Sequence, residues 1–209
     1  MIAVRPTLRA EAGFTILELM VAAFVSLMLG IAGFAFFRGQ LRSLTDQSAG
    51  LDAIEGARAA LDFMANDIRM AGATPTGSCA SCGAGLSNAG ANALTIAWDA
   101  NANGTLDAGE SITYAYDAST SSISRTVNGS TQTLIKNVPA GGFSLQYFDS
   151  GGAASAMTGG QVTTPSGVVA IQVNVRVQAA RATAVFPVTL TTRVALRNRS
   201  TVLSRLSPR

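Results

Sequence analysis

The chain has 209 residues, enough for one domain and an appendage. Its 15 Lys and Arg against 12 Asp and Glu leave a net charge of +3, with Lys136 the only lysine. Charged residues make up 13%, about half the usual share of roughly 25%, which suits a protein housed partly in lipid or in an assembly. Histidine is absent, which excludes the commonest general base and the commonest zinc ligand.

The first element is an apolar run at 14–37, 24 residues in which Glu18 is the only charge. As a helix it spans about 36 Å, enough to cross a hydrocarbon core of about 30 Å. A short polar segment with Arg5 and Arg9 precedes it, and Arg38 and Arg42 follow. A secretory signal cut after Ala35 fits poorly, because its apolar core runs only about 7–15 residues and carries no carboxylate. A plain N-terminal anchor accounts for the length but leaves Glu18 unexplained. A carboxylate costs about 2.5–3.5 kcal/mol at mid-bilayer and less near the end, so its presence suggests a partner.

The stretch "GFTILELMVA" at 13–22 resembles the type III signal of type IV pilins and their relatives. In that family a glycine precedes a phenylalanine, and a glutamate lies four residues beyond it. The resemblance implies that a membrane aspartyl peptidase, the prepilin peptidase, cuts after Gly13 and removes 1–13 as a leader. It implies next that the new N-terminus, Phe14, is N-methylated, and that Glu18 pairs with the N-terminal ammonium of a neighbouring subunit during assembly. The electrostatics agree: one helical turn separates the new cation from Glu18, so each subunit offers a staggered pair of opposite charges. Such a pair is worth far more in a low-dielectric bundle than at a wet surface, and it can set axial register as a buried polar residue does in a coiled coil.

The helix is predicted to continue to about Met70. Leu41, Leu44, Leu51, Ile54, Ala57, Leu61, Met64 and Ile68 recur at spacings of three, four and seven, while Asp46, Asp52, Glu55, Arg58, Asp62 and Asp67 mostly fall elsewhere. This amphipathic part, 38–72, is read as packing against a globular head, with Gly72 and Pro75 as stop signals. Major pilins usually carry a proline inside the membrane helix. Here none lies between Pro6 and Pro75, and Gly30, Gly33, Gly39, Gly50 and Gly56 stand instead, each weakening the helix by up to about 1 kcal/mol. "NDIRMAG" at 66–72 and "TTRVALRNRS" at 191–200 are similar to minor pilins of the PilW type, whose close relatives are the J-type minor pseudopilins of type II secretion.

The head, 73–209, reads as short strands: "LTIAW", "SITYAYD", "SSISRTV", "QTLIKNV", "GFSLQYFD", "GVVAIQVNVRVQA" and "VFPVTLTTRVALRN". Ile171, Val173, Val175 and Val177 would share one face. Asn128-Gly129 signals a hairpin, and the last two strands are expected to pair around Arg181. "SGGAASAMTGG" at 150–160 reads as a flexible loop. The expected class is α+β, a long helix on a mainly antiparallel sheet, the layout of the type IV pilin fold.

Two motifs remain. Cys79 and Cys82 form "CASC" after the helix. If the head faces an oxidising periplasm, as the resemblance implies, a local disulfide is expected, and the βαβ setting of a redox motif is missing. "DANANGTLDAGE" at 99–110 matches the calcium-loop pattern D-x-[DN]-x-[DN]-G-x5-E. Asp99, Asn101 and Asn103 would supply side-chain oxygens, Thr105 its carbonyl, Asp107 a water-bridged contact and Glu110 a bidentate carboxylate, with Gly104 making the sharp turn. The flanks look like strands, so the other reading is a polar hairpin connection with a turn at Asn103-Gly104.

The function expected is therefore structural and not enzymatic: a minor pilin that helps initiate or cap a type IV pilus. Its partners would be other minor and major pilins, the prepilin peptidase and the inner-membrane assembly platform. The chain would sit in the inner membrane with its head in the periplasm, then in the extracellular pilus. One alternative is a minor pseudopilin of a type II secretion system. Another is an adhesive or DNA-binding tip protein, hinted at by seven arginines and no acidic residue in 151–209. Phe186 is the single aromatic residue among those arginines, too little for the aromatic interleaving of a nucleic-acid surface, so nucleic acid is not the expected partner.

Overall fold

The structure is a computed structural model that describes residues 13–74, 79, 82, 85–178 and 187–196. Residues 1–12 of the expected leader 1–13, Pro75, the turn around Arg181 and the arginines from 197 onward lie outside them. The chain divides into two units, Met1–Thr45 and Asp46–Arg209.

Helix α1 spans Ile16–Met70 and passes without a break through all five interior glycines. No proline interrupts it, so every interior N–H keeps its acceptor. In the first unit its apolar side chains are exposed: Ile16, Leu17, Phe24 and Phe34 are each more than 60% accessible.

Within the second unit the buried face is built from Ala57, Ala60, Leu61, Met64, Ala65 and Ile68, with Ala53 packed at its edge. This corrects the expected stripe. Leu51 is 61% exposed, as is Leu44, and Leu41 is 47% exposed; the packed face starts two residues after Leu51. The residues in contact are largely alanines, whose short side chains let a helix lie close to what covers it.

The helix ends where Gly72 turns into the left-handed region, φ 72°. Gly72 N–H donates to the Ala97 carbonyl at 2.8 Å, which stitches the helix exit to the sheet. Gly85 passes so close that a Cβ on it would lie 2.3 Å from Gly72 N. Only glycine fits there.

The strands form three antiparallel sheets where one was expected. β1 (Leu86–Ala89), β2 (Ala93–Ala97), β3 (Ser111–Asp117), β4 (Ser122–Val127) and β5 (Ser130–Ile135) make a five-stranded meander in chain order. Asn128 and Gly129, at φ 50° and 75°, form the two-residue turn between β4 and β5, the positive-φ pair that a tight hairpin favours. β6 (Phe143–Phe148), β9 (Ala170–Val177) and β10 (Val188–Ala195) form a second sheet in the order β10-β9-β6. β9 and β10 pair from Val188↔Val177 to Ala195↔Ala170.

β7 (Met157–Thr158), inside the segment 150–160 expected to be a loop, and β8 (Gln161–Val162), just beyond it, make a small hairpin about Gly159 and Gly160. A 3-10 turn, Pro165–Gly167, follows.

The break between the two larger sheets lies at 136–142. Asn137 and Gly141 adopt positive φ, and Gly142 is wedged so that a Cβ would meet the Pro139 and Arg176 carbonyls at 2.7 and 2.9 Å. A polypeptide turned so sharply cannot continue the meander. Leu145 N–H to the Ala91 carbonyl, 2.8 Å, bridges the two sheets. Their inner faces and the helix share one core. It contains Leu94, Ile112 and Ile123 from the first sheet and Leu145, Ile171 and Val173 from the second.

Candidate processing, disulfide and cation sites

The residues around the expected processing site form a helix cap. Thr15 precedes the first helical residue, Ile16. Its hydroxyl oxygen accepts from Glu18 N–H at 3.2 Å, and Glu18 Oε2 accepts from Thr15 N–H and Thr15 Oγ1–H, both at 3.3 Å. This reciprocal pair is a capping box, which satisfies two donors that a helix start leaves without partners. The carboxylate also lies at the positive end of the helix dipole. The anchor reading had left Glu18 without an explanation, and here it has one within its own chain. The signal was present in the sequence, since T-x-x-E before an apolar run is the capping signature.

Phe14, just outside the helix, is 81% exposed. The most apolar 18-residue window of α1 has mean hydropathy 2.3 and is 0% buried. This helix is long and apolar enough to cross a membrane.

Cys79 and Cys82 are joined as a disulfide, with their Cα atoms 5.3 Å apart. Cys82 is buried, and its carbonyl accepts from Gly85 N–H. The bridge therefore sits at the approach to the tight Gly85–Gly72 contact.

The 99–110 loop connects β2 to β3 as a hairpin closure. Trp98 N–H donates to the Glu110 carbonyl at 3.0 Å, and Asp99 N–H to the Ala73 carbonyl at 2.8 Å. Asp99 is 1% exposed and Glu110 5%. Asp99 Oδ2 accepts from Gly104 N–H at 2.9 Å, and Gly104 holds φ 78°. Glu110 Oε1 accepts from the Ala100 and Asn101 amides, and Oε2 from that of Asp107. Asn101 Oδ1 accepts from Asn103 N–H, and Asn103 Oδ1 from Thr105 N–H and Thr105 Oγ1–H. The side-chain amides of both asparagines donate to Asp107 Oδ2, at 2.7 and 2.6 Å. Asn101, Asn103, Thr105, Asp107 and Glu110 thus belong to one hydrogen-bonded network, while the side chain of Asp99 bonds Gly104 N–H. Their three acids do not themselves gather into a three-ligand metal cluster, and no such cluster of His, Cys, Asp or Glu occurs among the described residues.

A third polar group was not anticipated. Asp67 lies on the buried face of α1, with 7% exposure, and not on the solvent side as expected. Its Oδ2 accepts from Arg125 Nε–H at 3.0 Å and from the Tyr114 hydroxyl, and Arg125 Nε–H also reaches Tyr114 Oη at 3.2 Å. Tyr114 is fully buried, and this burial first, then its bond to Asp67, pushes its pKa well above the usual phenol value. The cluster pins α1 to β3 and β4. Its members lie 47 and 58 positions apart along the chain, so no local pattern announces it.

Of the C-terminal arginines, Arg193 stacks on Phe148 with its guanidinium carbon 3.8 Å from the ring centroid. Arg176 has a buried Nε. These two belong to the sheet, and the others lie outside the described residues.

No protein-family model, curated protein or solved structure matches the chain. Its functional reading therefore rests on its own residues.

Proposed function

We propose that this chain is a minor pilin of the type IV pilin kind, a structural subunit that helps initiate or cap filament assembly. The observation that carries the reading is the placement of Glu18. It is the sole charge in the exposed apolar run 14–37 and lies in the first turn of α1, four residues after Phe14.

Cleavage after Gly13 would leave an ammonium on Phe14 beside the capping box. The box holds the carboxylate at the helix start, where a neighbouring subunit's terminus can reach it. An array of such helices buries the apolar surface that one helix alone exposes, and opposite charges set how far each slides along the next. In this reading the protein waits in the inner membrane with its head in the periplasm, and its contacts are with other pilins and the assembly platform. No catalytic role is assigned.

Mass spectrometry of the mature N-terminus tests the proposal, on chain produced beside a prepilin peptidase. The expected species begins with N-methylated Phe14. Chain that still carries Met1 under those conditions refutes the reading. A minor pseudopilin of type II secretion would be processed in the same way, so recovery of the chain with pilins or with pseudopilins separates the two.

A further inference from the structure

We propose that the 99–110 loop is a binding site for one Ca2+, nucleated by the buried carboxylate of Asp99. Asp99 is 1% exposed, and its Oδ1 is buried with no hydrogen-bond partner. Its other oxygen accepts from Gly104 N–H, so the carboxylate faces across its own loop and not toward the sheet. A buried charged oxygen without a partner is strongly disfavoured unless something present in solution completes it. Asp99, Asp107 and Glu110 form no ion pair among the described residues, and the loop itself contains no Lys or Arg. Positive charge must come from elsewhere.

The remaining donors suit a hard, flexible cation. Side-chain oxygens stand at 99, 101, 103, 107 and 110 and a backbone carbonyl at Thr105, the spacing at which a calcium loop presents its ligands. Gly104, at φ 78°, makes the turn this spacing needs. Two asparagine amides converge on Asp107 Oδ2, doing weakly for that carboxylate what a divalent ion does strongly. Rotation of each amide about χ2, a broad torsion, turns its oxygen inward without moving the backbone. Mixed amide, carbonyl and carboxylate oxygens favour Ca2+ over Mg2+, which demands near-ideal octahedral geometry.

An ion held here would brace more than a hairpin. Asp99 N–H is bonded to the Ala73 carbonyl and Gly72 N–H to that of Ala97, so the loop adjoins the point where α1 meets the sheet. None of this depends on how the chain assembles.

The test uses the full chain in detergent micelles, titrated with CaCl2. Calorimetry reads stoichiometry, and the fluorescence of Trp98, the only tryptophan, reads the site from the adjacent residue. One Ca2+ per chain is expected, with a Kd of about 10⁻⁴–10⁻³ M, the range of single extracellular sites. Asp99→Asn should weaken binding at least tenfold, and MgCl2 should compete poorly. Asp107→Asn replaces an exposed side chain, so it gives the same reading should Asp99→Asn fail to fold. No saturable signal from the wild type at about tenfold above that range overturns the proposal. So does binding that both variants leave unchanged.

Discussion

Replacing Asp67 probes how firmly the helix is fastened to the head. Asp67→Ala removes the acceptor of the Tyr114 hydroxyl proton and the charge partner of Arg125 together, leaving Arg125 Nε–H only its bond to Tyr114 Oη. The phenol is fully buried, so its unsatisfied hydroxyl costs about 1–3 kcal/mol. Removing one member of a buried ion pair costs about 3–5 kcal/mol, but the Arg125 side chain is 27% exposed and regains some water.

A net loss of about 3 kcal/mol follows, at the lower end of that range, which is about 6–12 °C in Tm for a chain of this size. Asp67→Asn keeps an acceptor and should lose about half as much, in line with the difference between charged and neutral hydrogen bonds. Denaturant titration of the full chain in micelles, followed by Trp98 fluorescence, measures both. A double-mutant cycle with Tyr114→Phe should be less than additive by at least about 0.5 kcal/mol. Strict additivity, or a loss from Asp67→Ala within about 0.5 kcal/mol, would show that the cluster does not fasten the helix.

Glu18→Gln keeps the capping acceptor but removes the charge, whereas Glu18→Ala removes both. If the carboxylate pairs with a neighbour's amine, incorporation into filaments should drop at least tenfold in both variants; normal incorporation of the Gln variant would make the cap its whole role. Burial raises the pKa of Tyr147, and burial with the Asp67 bond raises that of Tyr114. Both phenols are thus favoured in their protonated form by folding. The stability they contribute is complete below pH 10, the ordinary phenol value, and is lost as pH rises beyond it. In an alkaline absorbance titration neither should ionise near pH 10 while the chain is folded, so Tyr114→Phe and Tyr147→Phe should leave the first tyrosinate wave unchanged. A smaller first wave in either variant contradicts this.

The features legible from the sequence are those whose signal is local. A 24-residue apolar run (14–37) with no proline dictates a helix, and alternation in Ile171, Val173, Val175 and Val177 dictates a strand with one buried face. The Asn128-Gly129 turn and the spacing of the 99–110 loop were equally visible, because a positive-φ turn and a ligand spacing are properties of a few consecutive residues. The capping box is just as local, since Thr15 and Glu18 stand three residues apart at the start of the helix.

What the sequence could not decide was which parts meet. The residues 86–89, "LSNA", carry no strand pattern, yet they pair with β2 as an edge strand because the Gly85–Gly72 contact delivers them there. The division into separate sheets depends on the space around Gly142, and Asp67 is buried only because Tyr114 and Arg125 arrive from β3 and β4. Local propensity and periodicity thus determined the elements and the exposed apolar helix. The covering of one helix face, the ion pair beneath it and the partnerless oxygen of Asp99 arose only in three dimensions, because burial is a property of what a residue packs against, which its neighbours in sequence do not specify.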